Sequence, residues 1–383
     1  MQEALHAVRV HMNLEVAFIS EIRNGCRTFR FVDEEEGAPK LHVGDSDPVE
    51  LSYCQRVIDG RLPGLLHNAV ENPVAAELQA TFDLPVGAHL SVPIRFSDGQ
   101  VYGTLCVFDR KADTSLTERD LGLMRVFGDF VGNQLEREQR RRQQRDEHRG
   151  RIQRVLDDEL FSIALQPICN IEQDETVGYE ALARFGAEPQ QGPDRWLEDA
   201  ERVGLREDLE LALLKKALAL LEILPDRYYI SLNASPDVIR SGRFHQLLRS
   251  QPLNRVMLEV TEHAVVEDYD VLGDALSDLR ADGLRLAIDD AGAGYASFRH
   301  IIRLRPNVIK LDRSLVQGVS VNSGLRALAM ALIRFAEETG GKIVAEGVET
   351  EHDLDVLREI GVYKVQGYLI GRPKAIKEYD FTT

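Results

Sequence analysis

The sequence predicts an α/β barrel of the TIM type over its C-terminal two-thirds, preceded by a smaller α+β domain and joined to it by a long helix. Three observations predict this. A chain of 383 residues is longer than one ordinary domain. After residue 152, about eight short apolar runs alternate with helical stretches over roughly 220 residues. A run at 136–151, almost entirely Arg, Glu, Gln, Asp and His, separates that region from a mixed pattern upstream. The expected divisions are a domain at 1–137, a charged helical linker at 138–151 and the barrel at 152–383.

In the first domain, strand-like runs fall at 15–20, 28–32, 89–96 and 101–108. Ser97-Asp98-Gly99-Gln100 reads as a hairpin turn between the last two. Helical segments at 1–12 and 50–59 flank them, and the pattern reads as an α+β domain with an antiparallel sheet. Leu121, Met124, Phe127, Val131 and Leu135 then recur at three- and four-residue spacing, an amphipathic helix that Ser115 and Glu118 would start as a capping box. Ile152, Val155, Leu156 and Leu160 resume the spacing after the charged run, which predicts one helix from about 116 to about 159. Its stripe reads either as a solvated spacer or as a signalling helix paired with a second copy, and a homodimer is expected.

In the barrel region, strands are expected at 163–168, 177–184, 228–233, 256–260, 285–290, 308–311, 342–345 and 363–366. Helices fit at 205–224, 271–282, 325–339 and 351–360, and no repeat of 20–50 residues suggests a solenoid. Glu180, Asn233, Glu259, Asp289 with Asp290, Lys310, Glu346 and Gln366 each lie at or near the C-terminal end of a different strand. A barrel gathers those ends into one mouth, where such folds hold their active sites. Taken singly, an acid after a strand is ordinarily a helix cap or a solvated turn residue. The adjacent pair Asp289-Asp290 is different, because neighbouring carboxylates repel one another without a cation or a proton. Carboxylates with an amide oxygen form a shell suited to Mg²⁺ or Mn²⁺ rather than zinc. An acid shared between two ions would hold them about 3.5–4 Å apart, the spacing of two-metal phosphoryl hydrolases.

Composition sets the class. Hydrophobic residues at 44% and charged residues at 28% match a soluble globular chain. A net charge of −17 opposes binding to a nucleic-acid polymer but leaves open a phosphate substrate reached through bound metal. There is no run of about 18 apolar residues, so no membrane span is expected. Residues 1–14 lack the basic start and apolar core of a signal peptide. Cys26, Cys54, Cys106 and Cys169 are scattered, so neither a zinc site nor a disulfide framework is expected, and the compartment reads as a reducing cytoplasm.

The motifs along the second region name a family. Glu180-Ala181-Leu182-Ala183-Arg184 resembles the EALxR motif of EAL-domain cyclic di-GMP phosphodiesterases. The resemblance continues through Leu232-Asn233-Ala234-Ser235-Pro236, Leu258-Glu259-Val260-Thr261-Glu262, Asp289-Asp290-Ala291-Gly292-Ala293-Gly294-Tyr295 and Ile309-Lys310-Leu311-Asp312. It ends with Ala345-Glu346-Gly347-Val348-Glu349 and Gln366-Gly367-Tyr368-Leu369-Ile370-Gly371-Arg372-Pro373, and so covers roughly 152–375. The resemblance implies a first metal on Glu180, Asn233, Glu259 and Asp289, and a second on Asp289, Asp290 and Glu346. It implies that Lys310 helps activate the attacking water, with Glu180 and Glu346 beside it, and that Gln366 lines the site. Arg184 would bind a substrate phosphate, Glu262 and Glu349 would brace loops, and the product would be linear pGpG. Where the family commonly has Phe-Gly-Thr-Gly-Tyr-Ser-Ser, this chain has Ala291-Gly292-Ala293-Gly294-Tyr295-Ala296-Ser297, smaller or short of a hydroxyl at three positions.

Upstream, Tyr53-Cys54-Gln55 and the pair Ser91-Val92-Pro93-Ile94 and Gly103-Thr104-Leu105 resemble a GAF sensor domain, over roughly 1–137. Its ligand is not legible. Cys54 or Cys106 could carry a bilin or respond to oxidants, and His67 could bind haem, but plain buried and loop roles fit the same residues. Two rival functions are a Schiff-base enzyme built on Lys310, which has no need of so many acids, and a non-catalytic cyclic di-GMP receptor. Relatives of the second kind have typically lost metal ligands that this chain retains.

Overall fold

The computed structural model describes residues 1–261, 266, 268–291 and 296–381, and divides into two compact units, Met1–Gln144 and Arg145–Thr383. The first unit holds a six-stranded antiparallel sheet in the order β3-β2-β1-β6-β5-β4. Its strands are β1 (Val16–Arg23), β2 (Cys26–Glu34), β3 (Ser46–Pro48), β4 (Leu65–Leu66), β5 (His89–Arg95) and β6 (Val101–Phe108). Alternate residues serve opposite faces, as the two-residue period of a strand requires. Ala17 and Ile19 face α1 (Gln2–Met12) and α5 (Glu118–Asp157). Val16 and Phe18 face α2 (Tyr53–Ile58), α3 (Pro73–Ala76) and α4 (Ala80–Asp83).

Two expectations about the long helix are corrected. It starts at Glu118, and the Ser115 hydroxyl donates to Asp113 instead (2.6 Å). The contact at the helix start lies between Thr117 and Asp120, whose carboxylate accepts from the Thr117 N–H and hydroxyl at 2.8 and 2.7 Å. The apolar stripe is not an open seam either. Leu121, Met124 and Val131 are buried, and Phe127 and Leu135 partly so, against the sheet of their own domain. The spacing that suggested a partner helix therefore marks a helix docked at home.

The second unit is a closed eight-stranded barrel, β7 (Phe161–Asn170), β8 (Glu175–Phe185), β9 (Tyr229–Asn233), β10 (Val256–Thr261), β11 (Arg285–Ala291), β12 (Val308–Leu311), β13 (Lys342–Ala345) and β14 (Lys364–Val365). Strands β8 to β14 run parallel, whereas β7 is antiparallel to both its neighbours. This departs from the strict strand–helix alternation expected. Only residues 171–174 join β7 to β8, too few for the dozen or so that a parallel crossover needs, so the two form a hairpin. A short β15 (Lys374–Ala375) also pairs with β7. The helices outside are α6 (Pro193–Arg202), α7 (Arg206–Leu218), α8 (Pro236–Ile239), α9 (Gly242–Leu248), α10 (Tyr269–Ala281), α11 (Ala296–Leu304), α12 (Arg313–Val316), α13 (Ser323–Thr339) and α14 (Glu351–Glu359). The helix expected over 205–224 is α7 followed by a 3₁₀ turn at Ala219–Glu222. No helix among the described residues is long and apolar enough to cross a membrane.

The barrel interior is layered. Ile168, Tyr229, Met257, Ala287, Val308 and Val344 make an apolar floor. Gly178 belongs to the same level, since a Cβ there would stand 2.7 Å from the Tyr229 ring. Residues two apart on a strand share a face, so the next level toward the mouth is set by the floor. It holds Glu180, Ser231, Glu259, Asp289, Lys310 and Glu346, and from the reversed strand β7, Gln166.

Candidate active site

That second level is almost entirely polar and largely buried. Glu180, Ser231, Glu259, Asp289, Lys310, Gln166 and Gln366 are all buried, with Glu259 and Lys310 each only 1% exposed. Lys310 sits among four carboxylates. Its Nζ lies 2.6 Å from Glu346 Oε1, 2.7 Å from Glu259 Oε2, 3.0 Å from Asp289 Oδ1 and 3.5 Å from Glu180 Oε2. The Ser231 hydroxyl donates to the other oxygen of Glu259. Gln366 Nε2 donates to Glu180 Oε2 (2.6 Å) and to Gln166 Oε1 (3.1 Å), and Gln166 Nε2 donates to the Gly371 carbonyl (3.1 Å). Asn233 Nδ2 lies 3.2 Å from Glu180 Oε1.

A regular strand would turn Asp289 and Asp290 to opposite faces. It does not happen here because β11 carries a bulge. Ile288 pairs with Ile309 and Ala291 with Leu311, so β11 has one residue more than β12 across that span. Asp290 takes up the excess in the left-handed region at φ 58°, which Asp tolerates better than most residues. Both carboxylates thereby serve one site. Oxygens of Glu180, Glu259 and Asp289 lie within 4.8 Å of one another, and so do oxygens of Asp289, Asp290 and Glu346. Asp289 is common to both groups.

The electrostatics leave this arrangement short of positive charge. Five carboxylates face one ammonium, so four negative charges remain when all are ionised, the charge of two divalent cations. Burial pushes the Glu259 carboxyl up to about 8, with Lys310 opposing and Glu180 and Asp289 adding to the rise. Burial likewise raises Glu346 well above the carboxylate range despite Lys310. For Lys310, burial works toward a lower value, but Asp289, Glu180, Glu259 and Glu346 together hold it well above the ordinary one. The donors fit Mg²⁺ or Mn²⁺, since all are oxygens and none is a thiolate or imidazole. One more oxygen is available, because Gln366 Oε1 is buried without a hydrogen-bond partner among the described residues.

Every predicted strand-end residue is therefore in one place: Glu180, Asn233, Glu259, Asp289, Asp290, Lys310, Glu346 and Gln366. A cavity of about 480 Å³ is lined by Glu180, Asp289, Asp290, Glu346 and Gln366, and a larger one of about 950 Å³ beside it by Arg184, Asn233, Asp289, Asp290 and Tyr368 among others. Arg184 is exposed at the rim of the larger, with Nη1 donating to the Ala183 carbonyl (2.8 Å). Glu349 is exposed and lines the smaller cavity. Glu262 and residues 292–295 of the altered loop lie outside the described residues. Sequence reading missed Gln166 and Ser231. Ser231 lies two residues before Asn233, so strand period alone could have found it.

A barrel of this strand order, with paired acidic groups at its mouth, is the architecture of an EAL domain. The chain belongs to the EAL domain family, whose model matches residues 149–373, and the GAF domain model matches residues 1–135. It is 33% identical over 238 residues to "Cyclic di-GMP phosphodiesterase NbdA" of Pseudomonas aeruginosa, covering 58% of this chain and 30% of that one. Among solved structures it resembles "PaMucR Phosphodiesterase, c-di-GMP complex", with a TM-score of 0.54 at 28% identity, over 61% of this chain and 99% of that one. It also resembles the manganese and cyclic di-GMP complex of Klebsiella pneumoniae BlrP1 at pH 9.0, with a TM-score of 0.50 at 29% identity, over 56% of each chain. The chain spans 31%, 40% and 42% of the length of three other curated relatives.

Proposed function

We propose that this chain hydrolyses one phosphodiester of cyclic di-GMP to give linear pGpG, using two divalent ions, Mg²⁺ or Mn²⁺. The observation that carries the proposal is the pair of carboxylate groups sharing Asp289 at the mouth of an EAL barrel. The similarity to NbdA and to the MucR complex supports the substrate, and the BlrP1 complex supports the metal. Glu180, Asn233, Glu259 and Asp289 would hold one ion, and Asp289, Asp290 and Glu346 the other. When bound, such ions supply a water of lowered pKa and neutralise charge on the departing oxygen.

The chain's own residues do the rest. Lys310 holds a cation at the centre of the acids, where it orients them and can donate a hydrogen bond to a water between them. Gln366 fixes Glu180 through its amide N–H and keeps its carbonyl oxygen for that same water. Arg184, at the rim, matches a phosphate with its planar fork of donors. Glu262 and Glu349 are assigned to bracing the loops around the mouth. Retention of every acid favours hydrolysis over a receptor that binds without turnover. We assign 1–137 to sensing, 138–151 to linkage and 152–383 to catalysis, with the first controlling the last within a homodimer.

The test is incubation of the pure chain with cyclic di-GMP and Mg²⁺ or Mn²⁺, followed by product chromatography. pGpG should appear and should vanish with EDTA, and Ca²⁺ should substitute poorly because of its larger, looser shell. Full turnover in EDTA would sink the two-metal reading.

A further inference from the structure

The first unit contains a second chemical cluster, on the side of its sheet away from α5. Cys54 on α2 and Cys106 on β6 are both 0% exposed, with their sulfurs 4.0 Å apart. Arg27, only 5% exposed, donates from Nη1 to Cys54 Sγ at 3.6 Å. Its Nε donates to Asp47 (2.9 Å), and its guanidinium lies 4.6 Å from the centre of the Phe29 ring. Three buried hydroxyls complete the surroundings. Ser91 and Thr104 lie 3.1 and 3.2 Å from Cys106 Sγ, and Ser20 lies 3.7 Å from Cys54 Sγ.

We infer that Cys54 and Cys106 are a redox-active dithiol that closes to an intramolecular disulfide on reaction with a peroxide. A plain core cysteine needs no partner, yet this one has been given a buried cation and a second thiol. Their chemistry is unequal, as an attacking and a resolving sulfur should be. Hydrogen bonding from Cys106, followed by the charge of Arg27, brings Cys54 down to about 5 against the opposing effect of burial. Burial, with Cys54 adding to it, holds Cys106 well above the ordinary thiol value. The Cys54 thiolate attacks one peroxide oxygen, breaking the O–O bond to give a sulfenic acid and hydroxide. The Cys106 sulfur then attacks the Cys54 sulfur. Its proton and the sulfenic hydroxyl leave as water, and the S–S bond forms. Two thiols lose two electrons and two protons, and the peroxide becomes two waters. Side-chain rotation must bring the sulfurs from 4.0 Å to the bonded distance of about 2.05 Å. The bond would then tie α2 to the sheet.

The reduced chain should be treated with hydrogen peroxide at pH 7, quenched with an alkylating agent under denaturing conditions, digested without reduction and mapped by mass spectrometry. A linked Cys54–Cys106 peptide is expected. Cys106→Ser should leave a sulfenic acid at Cys54 that dimedone traps, and Cys54→Ser should leave Cys106 a free thiol. Oxidation at Cys26 or Cys169 while Cys54 and Cys106 remain alkylatable would overturn the inference.

Discussion

Lys310 and His89 show the same physics with opposite outcomes. Lys310 is buried charged because four acids surround it. On the proposed reading, Glu180→Ala and Asp289→Ala each remove a direct metal ligand and should abolish turnover, whereas Glu349→Gln should be milder. Ser231→Ala removes only the hydroxyl that orients Glu259 and should cost about 10–100-fold, the usual penalty for losing a ligand's hydrogen-bond partner. Near-normal rates for Glu180→Ala on cyclic di-GMP would refute the site assignment. His89 is buried with no acid to support its charge, and its Nδ1 has no hydrogen-bond partner among the described residues. Burial first, and then the charge of Arg27, lowers it to about 3. The unfolded chain therefore binds a proton below about pH 6.5 that the folded chain refuses, so this contribution to stability is full above that pH and falls as pH drops. Between pH 7 and pH 5 the loss should be about 2 kcal/mol, and His89→Phe should abolish it. Urea unfolding followed by circular dichroism at both pH values checks this, and an unchanged pH slope in the variant would contradict it.

At the scale of the element, the β11 bulge determines whether five acids or four reach the mouth. Asp290→Asn and Asp290→Ala remove the same charge, but Asn accepts the left-handed backbone and Ala does not. Ala should therefore be the less stable by about 1 kcal/mol. Trp196 is the only tryptophan and is buried in the barrel unit, so its fluorescence during urea unfolding reports that difference. Equal midpoints would mean that the bulge relaxes when the carboxylate goes. The sequence showed the two-residue alternation that puts Glu180, Glu259, Asp289, Lys310 and Glu346 on one face, because an apolar partner precedes each by two positions or leaves a glycine there. It could not show the bulge, since strand periodicity carries no sign of an inserted residue. The reversal of β7 was implicit in the four-residue link to β8, which only loop length reveals. The α5 stripe was visible, but periodicity says that a face is covered without saying by what.

For the whole molecule, the corrected role of that stripe moves the case for coupling from an open helix face to the helix itself. A single helix, Glu118–Asp157, contributes to both compact units. Its Leu121, Met124 and Val131 belong to the first core. Ile152 and Val155, 0% and 1% exposed, belong to a cluster in the second with Trp196, Ala200 and Leu209. In that second unit Arg149 donates to the Val203 carbonyl (2.9 Å), and Arg151 lies 3.4 Å from Asp199 on α6. Helix α6 in turn lines the large cavity through Leu197, Glu198 and Asp194, and the Trp196 ring stacks on Phe185, next to Arg184, at 5.3 Å. On the proposed reading, a shift or rotation of the helix would act through α6 on one wall of that cavity. Coupling of this kind is usually about 1–3 kcal/mol, or roughly 5–150-fold in rate or affinity. A truncated chain should start at Arg145 rather than Arg151, so that the turns carrying Arg149 and Ile152 stay docked. Expected is a folded fragment whose rate on cyclic di-GMP differs at least about fivefold from that of the full chain. Light scattering on both chains asks separately whether the first unit carries a dimer contact. Equal rates with a monomeric full chain would leave the helix as a passive tether. A folded fragment with a changed rate would place control in residues 1–144.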